Sequence, residues 1–408
     1  MSPINVNRVA FFRQRNNPFK TIEEEILKVW LKMGLLLPEH YERPQMLYFQ
    51  RAARTDKGVS AAKQILTCRL PEQFADRIAE MNSLLPDNIR IFGAKRTTKY
   101  FDSRTYCDGR TYSYMLPTFA LAKPDQMLTT YYRIDKNLME EFNRVLELYK
   151  GTHNFHNFTS GKKATDASAM RFMMEISCGE PFIMEEMEFA IVRIKGQSFM
   201  LHQIRKMVGL AIAVMRGNAT QATIERAFRE EKVDIPIAPG LGLMLEEVHY
   251  DRYNIRYGGD GTHEAIVWPE LNEQVDEFKR LEILPNVYAG EKKEFSMMKW
   301  LQSLPIHTYG AHGQAKSSEE HQKQMEEVAS NTQQAIENEI NAQKEVKANQ
   351  LEPTETVVSE TTANGQKWET VLQNGSIDGQ TVDPELAYRK AYVNAHYLGK
   401  EKTTSQTE

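Results

Sequence analysis

The sequence is poor in cysteine and has no long apolar run. Its 408 residues include only 3 cysteines, Cys68, Cys107 and Cys178, and no two of them have C-x-x-C spacing. This usage argues against a disulfide framework and against a zinc knuckle, and it fits a reducing compartment. No apolar stretch approaches the roughly 20 residues that a membrane-spanning helix needs. We therefore expect no association with a membrane.

A strong basic excess is also absent. The formal net charge is −4, which taken alone argues against a nucleic-acid partner. The charge is unevenly divided, however, because residues 310–408 contain 9 Lys+Arg and 16 Asp+Glu, whereas residues 1–309 contain 42 and 39. The first part of the chain is therefore mildly basic, and the tail is acidic.

Several signatures of other enzyme classes are missing. The sequence contains neither a G-x-x-x-x-G-K-[ST] nor a G-x-G-x-x-G element, and it lacks the paired H-x-E and P-C-x-x-C elements of zinc nucleobase deaminases. His153 and His156 stand three residues apart, but no cysteine or acid lies at ligand spacing beside them. We therefore predict no metal site.

The apolar pattern predicts helices and strands in alternation. Thr21 followed by Glu24 forms a capping box at the start of a helix that Gly34 ends. Strands are predicted over "MLYFQRAA", "VSAAKQILTCRL", "NIRIFGAKRTT", "RTYSYMLPTF", "RFMMEISCGE", "EMEFAIVRIKG" and "GLMLEEVHY". Helices are predicted over "PEQFADRIAEMNSLL", "NLMEEFNRVLELYKG" and the strongly apolar "FMLHQIRKMVGLAIAVMRG". This order indicates an α+β fold.

The chain changes character at about residue 310. Gln, Glu, Asn, Thr and Ser dominate from there on, and large apolar residues are few. Such a segment buries too little surface to offset the entropy of ordering it. We predict a disordered acidic tail over 310–408.

A charged loop separates the first two predicted strands. The stretch "RAARTDKGVSA" places Asp56 beside Lys57 and Gly58, two residues after Arg54. An aspartate in such a string is usually a turn residue or one member of a surface ion pair. A loop between two strands is also where a rigid scaffold presents functional groups, and Gly58 permits a tight backbone path. The residues by themselves leave both interpretations open.

Four motifs in order resemble those of one enzyme family. "ARTDKGVSA", "GRTYSYMLPTF", "SFMLHQIRKMVG" and "APGLGLMLEEVHY" are similar to the signatures of the TruA family of pseudouridine synthases, and the details are most similar to its eukaryotic branch. The likeness extends to about residue 309 and does not cover the tail. It implies that uridine in RNA is isomerised to pseudouridine without metal or cofactor.

The resemblance also implies an architecture. It predicts two RRM/ferredoxin-like α+β halves whose sheets meet at a central RNA-binding cleft. The N-terminal half would span 1–103 and carry the catalytic loop, the second half 104–262, and a helical extension 263–309, before the tail 310–408. The first strand that the family usually has is reduced to a stump in this chain, so we expect the N-terminal sheet to be incomplete.

Site residues follow from the same resemblance, position by position. Asp56 corresponds to the essential carboxylate, Tyr112 to the tyrosine that packs on the target uracil, and Arg205 to the arginine that pairs with the aspartate. Arg54 corresponds to the arginine that takes the place of the flipped base. Judged singly, Tyr112 is typical of a sheet core and Arg205 of a side chain with a packed stem.

Further residues complete the predicted site. Leu243 and Leu245 correspond to apolar residues that border the pocket. Basic residues predicted to contact RNA phosphates are Lys57, Arg104, Arg110, Lys162, Lys163 and Lys206. The expected substrate is tRNA, with small nuclear RNA and messenger RNA as further candidates, and the expected location is the nucleus, with the mitochondrion as the alternative. The sequence leaves the oligomeric state open, and a non-enzymatic RNA-binding protein on the same scaffold is the competing hypothesis.

Overall fold

The structure is a computed structural model that describes residues 21–56, 58–123, 126, 128–310, 330, 333–334, 336–341, 357–361 and 367–371. The chain divides into two compact units, one up to Glu339 and one from Ile340 onward. The predicted stump of a first strand lies outside the described residues, as do Lys57 and most of the predicted tail.

The first unit contains helices and strands in mixed order, which confirms the predicted α+β class. Its helices are α1 (Ile22–Lys32), α2 (Pro38–Glu42), α3 (Ile78–Leu84), α4 (Lys136–Glu147), α5 (Gln203–Met215), α6 (Gln221–Ala227), α7 (Asp251–Tyr257), α8 (Asn272–Phe278), α9 (Leu284–Glu294) and α10 (Ser296–Gln302). Its strands are β1 (Gln50–Arg51), β2 (Ser60–Ala61), β3 (Leu66–Thr67), β4 (Gly109–Pro117), β5 (Gly151–Asn154), β6 (Met170–Cys178), β7 (Phe182–Met184), β8 (Met187–Gly196) and β9 (Leu243–His249). None of the described helices is long and apolar enough to cross a bilayer.

Seven strands form one mixed sheet. Their order is β2-β9-β4-β8-β6-β5, and β7 also pairs with β8. The pairs are antiparallel except for β2 with β9, where Ser60 and Ala61 run parallel to Met244 and Leu245. This short parallel pair attaches the chain just after the Asp56 loop to the sheet.

The main hydrophobic core lies between this sheet and two helices. Helix α4 buries a stripe that includes Phe142 and Val145, and α5 is buried along most of its length. Both helices belong to the same apolar cluster as Tyr114 of β4 and Phe189 of β8. Burial of such large side chains is the main source of stability, since removing one Phe side chain from a core costs about 3–5 kcal/mol. The sheet that carries the site is therefore rigid.

The N-terminal part contains less strand than the sequence predicts. Strands β1 and β3 form a two-residue antiparallel ladder, and the predicted strand at 88–98 is not formed. The side chain of Asn82 instead bonds both the N–H and the C=O of Ile91, at 2.9 and 2.8 Å. In a strand, these backbone groups would bond to a neighbouring strand; here the side chain of Asn82 bonds to them.

These residues build a separate small core. Trp30 packs edge-on against Phe49 and Phe74 in a cluster distinct from the main one. A cavity of about 930 Å³ is lined by this cluster, by residues of the main sheet and by residues near α8, among them Trp30, Cys68, Phe92, Arg193, Glu247, Trp268 and Val275. The N-terminal part is therefore more loosely packed than the main sheet.

Within the second unit the structure describes one antiparallel hairpin, β10 (Val357–Thr361) and β11 (Lys367–Val371). The sequence predicts a wholly disordered tail, whereas the structure has this hairpin. The β-branched residues at the ends of its strands favour extended backbone. The other residues of that predicted tail in this unit, apart from 340–341, lie outside the described part of the chain.

Candidate active site

Asp56 lies in a loop, residues 52–59, that connects β1 to β2. Gln64 holds the start of the loop, since its side chain bonds both the N–H and the C=O of Ala53, at 3.2 and 2.9 Å. The loop closes with a turn in which Val59 N–H donates to the Asp56 carbonyl at 3.1 Å. Gly58 has a φ of +84°, which a residue with a Cβ rarely adopts. The backbone around Asp56 is thus fixed from both sides.

Arg110 fastens the same loop to the sheet. One guanidinium nitrogen of this β4 residue donates to the Ala52 carbonyl at 2.7 Å, and the other approaches the Gln197 carbonyl at 3.4 Å. The sequence predicts Arg110 as a phosphate contact, but in the structure it joins the loop to β4 and to the end of β8. Two guanidinium nitrogens of Arg110 are therefore used to hold the loop in place.

Tyr112 lies on β4 beside the loop. Its side chain is 8% exposed, faces Leu245 across the strand pair, and meets the ring of Phe199 edge-on at 5.2 Å. Burial raises the pKa of Tyr112 to about 12, and the nearby negative charge of Asp56 contributes to that rise. The structure therefore brings Asp56 and Tyr112 together.

Leu243 and Leu245, the predicted border of the pocket, both lie on β9 and are buried. Leu245 is opposite Tyr112 and Leu243 is opposite Tyr114. They supply an apolar surface next to the tyrosine.

Arg205 is held at the first turn of α5. Its Nε donates to the Ala238 carbonyl at 2.6 Å, and a Cβ at Gly240 would lie only 3.7 Å from its Cζ. Tyr114 holds the same segment, because its hydroxyl donates to the Pro239 carbonyl at 2.7 Å. Within the described residues no ion pair of 4.0 Å or less joins Arg205 to Asp56. The predicted pair is therefore not formed in the structure, in which Nε of Arg205 bonds to a carbonyl.

The group that approaches Asp56 is His202, which the sequence interpretation missed. Its Nε2 lies 3.9 Å from Oδ2 of Asp56. His202 is the N-cap of α5 and precedes the first helical residue, Gln203. Its place three residues before Arg205 in "LHQIR" is the one sequence signal that could have drawn attention to it.

Two arginines that the sequence predicts to contact RNA lie in or near the loop. Arg54 and Arg104 are exposed. Burial lowers the pKa of Arg51, and the positive charges of Arg54 and Arg104 lower it further. Arg51 itself pairs with Glu23 at 3.0 Å. Arg54 and Arg104 therefore give the surface beside the loop a positive charge.

The predicted lysines differ in their surroundings. Lys162 and Lys163 are exposed on the turn after β5, and Lys162 Nζ donates to the Ser168 hydroxyl at 2.8 Å. Lys206 Nζ donates to the Asn157 carbonyl at 2.9 Å, and burial lowers its pKa. Lys206 is thus partly buried and bonded within the protein, whereas Lys162 and Lys163 lie at the surface.

The described residues contain no group of three or more His, Cys, Asp or Glu side chains that could hold a metal ion. His153 stacks on Phe228 with ring centroids 4.2 Å apart, and His156 is buried. Cys107 donates its thiol to the Gly109 carbonyl at 3.2 Å, and burial raises its pKa. The ring of His153 and the thiol of Cys107 are thus held by contacts within the protein.

Comparisons with known proteins identify the family. A family model described as tRNA pseudouridine synthase matches residues 145–251. The chain is 48% identical over 302 residues to the Pseudouridylate synthase 1 homolog of Homo sapiens, covering 73% of this chain and 70% of that protein. It is 48% identical over 302 residues to the Mus musculus homolog, covering 72% and 71%. It is 31% identical over 361 residues to tRNA pseudouridine synthase 1 of Yarrowia lipolytica, covering 68% of each. With this identity over most of both chains, the protein belongs to the TruA family of tRNA pseudouridine synthases.

Proposed function

We propose that this protein isomerises uridine to pseudouridine in tRNA, with Asp56 as the catalytic carboxylate. The observation that carries the proposal is the position of Asp56 on a fixed loop beside the buried ring of Tyr112. Membership of the tRNA pseudouridine synthase family supports the reaction type.

The chemistry matches this pair of side chains. The N1–C1′ bond of uridine breaks, a C5–C1′ bond forms, N1 gains a proton and C5 releases its proton to water. An ionised carboxylate serves either as a nucleophile toward the ribose or as an acid–base group. Asp56 can fill either role, because its side chain is 43% exposed and the RNA can therefore reach it.

Tyr112 and the two leucines form the base pocket in this proposal. An extruded uracil stacks on the tyrosine ring, and Leu243 and Leu245 exclude water beneath it. The phenol remains neutral, because its pKa is about 12. Arg205 pairs with Asp56 once RNA closes the site, and its two Nη groups are available since only Nε bonds to Ala238.

RNA binds across the positive surface beside the loop. Extruding a base from a stack costs a few kcal/mol. Arg54 recovers part of this cost by occupying the vacated space, while Arg104, Lys162 and Lys163 contact phosphates. Transfer RNA is the substrate, and small nuclear or messenger RNA would have to present a similar extruded uridine.

We extend the proposal to the architecture and the location. Two RRM/ferredoxin-like halves, 1–103 and 104–262, meet at an RNA-binding cleft, with 263–309 as an extension and 310–408 as a tail. The cluster around Trp30 supports the N-terminal half, because its buried members all lie between Ile26 and Ile89. Nuclear localisation is proposed from the resemblance, and fluorescence of a full-length fusion tests it against the mitochondrion.

The decisive experiment uses tRNA labelled with tritium at C5 of uridine. Isomerisation must release that tritium to water, so we expect release by the wild type and loss of release in Asp56→Ala, with RNA affinity unchanged in a gel shift. Glu42→Ala, an exposed carboxylate on α2, is the matched control and should release tritium normally.

Two outcomes contradict the proposal. Tritium release by Asp56→Ala at the wild-type rate would remove Asp56 from the chemistry. No release by the wild type, with RNA binding intact, would favour the competing hypothesis of a non-enzymatic RNA-binding protein.

A further inference from the structure

His202 has a constrained backbone that fixes its ring. Its φ of +60° lies in the left-handed region, which residues other than glycine rarely adopt. His202 lies in a turn from Met200 to Gln203. The Gln203 N–H donates to the Met200 carbonyl at 3.1 Å, and the Met200 N–H donates to the Gln203 side-chain oxygen at 2.9 Å. The His202 carbonyl accepts the Lys206 N–H at 2.9 Å and so begins α5. A strained residue held by its surroundings is typical of functional sites.

The two ring nitrogens of His202 have different surroundings. Nδ1 is buried and has no hydrogen-bond partner among the described residues, whereas Nε2 faces Asp56 at 3.9 Å. A buried N–H without an acceptor is rarer in proteins than a buried acceptor without a donor. The ring proton therefore belongs on Nε2, the nitrogen that lies 3.9 Å from the carboxylate.

The Asp56 carboxylate requires a neighbouring group to fix its orientation. Its side chain is 43% exposed, so water competes for its oxygens. Arg205 makes no ion pair with it here, and His202 is the one basic side chain within 4.0 Å of it in the described part of the chain. Catalytic hydrogen bonds are often long in the free enzyme and shorten when substrate binds.

We propose that His202 is a positioning residue whose Nε2–H orients the Asp56 carboxylate for reaction. The inference rests on the proposed function and adds to it a residue that does not touch the uridine. When RNA excludes water from the loop, the 3.9 Å separation shortens to a hydrogen bond. Asp56 then presents one oxygen to the ribose and the other to His202.

The test removes the imidazole and then returns it. His202→Gly suits the backbone, because glycine adopts a φ of +60° without strain. We expect the single-turnover rate of tritium release to fall about 10²-fold, the usual effect of a misplaced catalytic group. The tRNA affinity and the thermal denaturation midpoint should remain those of the wild type. Added imidazole should restore part of the rate.

Three further variants make the test specific. His202→Gln carries an N–H donor at the end of its side chain and should retain more activity than His202→Gly. Leu201→Ala removes an exposed side chain from the same turn and should react at the wild-type rate. Imidazole should not rescue Asp56→Ala, because the carboxylate itself is missing.

The outcomes separate this inference from the proposed function. No release by the wild type overturns the function, and the role of His202 with it. Wild-type release with an undiminished rate in His202→Gly overturns the role of His202 alone. A slow His202→Gly variant that neither imidazole nor glutamine improves also overturns it, because the defect is then one of folding or packing.

Discussion

At the scale of single residues, the protonation state of Tyr112 limits what the site can do. Burial is the main cause that raises the pKa of this phenol to about 12, and the charge of Asp56 acts in the same direction. A raised tyrosine pKa means that the neutral form persists up to that pH. Tyr112 therefore acts through its ring and as a hydroxyl, not as a phenolate base.

Tyr112→Phe tests this role. We expect the pH–rate profile of tritium release between about pH 6 and pH 9 to keep its shape, since no ionisation of the phenol falls in that range. Tyr112→Ala, by contrast, removes the stacking surface and should cost about 1–3 kcal/mol in the single-turnover barrier. Loss of an alkaline limb in Tyr112→Phe would show that the phenol titrates during the reaction.

At the scale of elements, helix α9 supports the segment that holds Arg205. Gly290 lets α9 approach closely, because a Cβ there would lie 2.8 Å from the Leu241 side chain. Leu241 follows Gly240, which lies against the Arg205 guanidinium. The next residue of α9, Glu291, is 4% exposed and accepts the Met297 N–H at 2.8 Å. The helical extension thus packs, through Leu241, against the segment that contacts the Arg205 side chain.

Glu291 makes the stability of this element depend on pH. Burial raises its pKa from 4.5 to about 7, so the folded state binds a proton more tightly than the unfolded state does. The free energy of unfolding is therefore largest below pH 4.5 and decreases as the pH rises to about 7, for this group. Above that range its contribution is constant.

Glu291→Gln should remove this dependence. The variant should gain stability over the wild type at pH 8, by up to about 3 kcal/mol, and gain little at pH 5. Urea denaturation of both proteins at the two pH values measures the difference. Glu273→Gln, at an exposed carboxylate on α8, is the control. An equal gain at both pH values would contradict the burial of a titrating carboxyl.

At the scale of the whole first unit, the two largest of its three hydrophobic clusters are unequal in size. The larger one joins the seven-stranded sheet to α4 and α5, and the smaller one surrounds Trp30. The cavity of about 930 Å³ adjoins the smaller cluster, and Trp30 Nε1 is buried there without a partner in the described residues. Fewer buried contacts and short ladders lower the free energy of local opening.

Hydrogen exchange measures this difference. We expect the amides of α1 and α3 to exchange faster than those of β4 and β8 under native conditions, because the N-terminal cluster opens without unfolding the main sheet. Mass spectrometry of peptic peptides resolves the two regions. Equal protection of both would mean that the chain unfolds as one cooperative unit.

The sequence by itself determined the elements whose signals are local. Thr21 caps α1 by accepting the Glu24 N–H at 3.1 Å, as the capping box predicts, and the periodicity of α4, α5, β4 and β8 is that of the observed elements. The sequence also identified the family, because four short motifs in a fixed order, one of them around Asp56, are specific to it.

The tertiary structure alone decided which groups meet. Residues 88–98 have the composition of a strand but form none, since pairing depends on a neighbour that the segment itself does not contain. Arg110 and Lys206 bond to carbonyls from other segments, and His202 comes to Asp56 from another part of the chain. A side chain's partner is fixed by the packing of the sheet and α5, which no local pattern specifies.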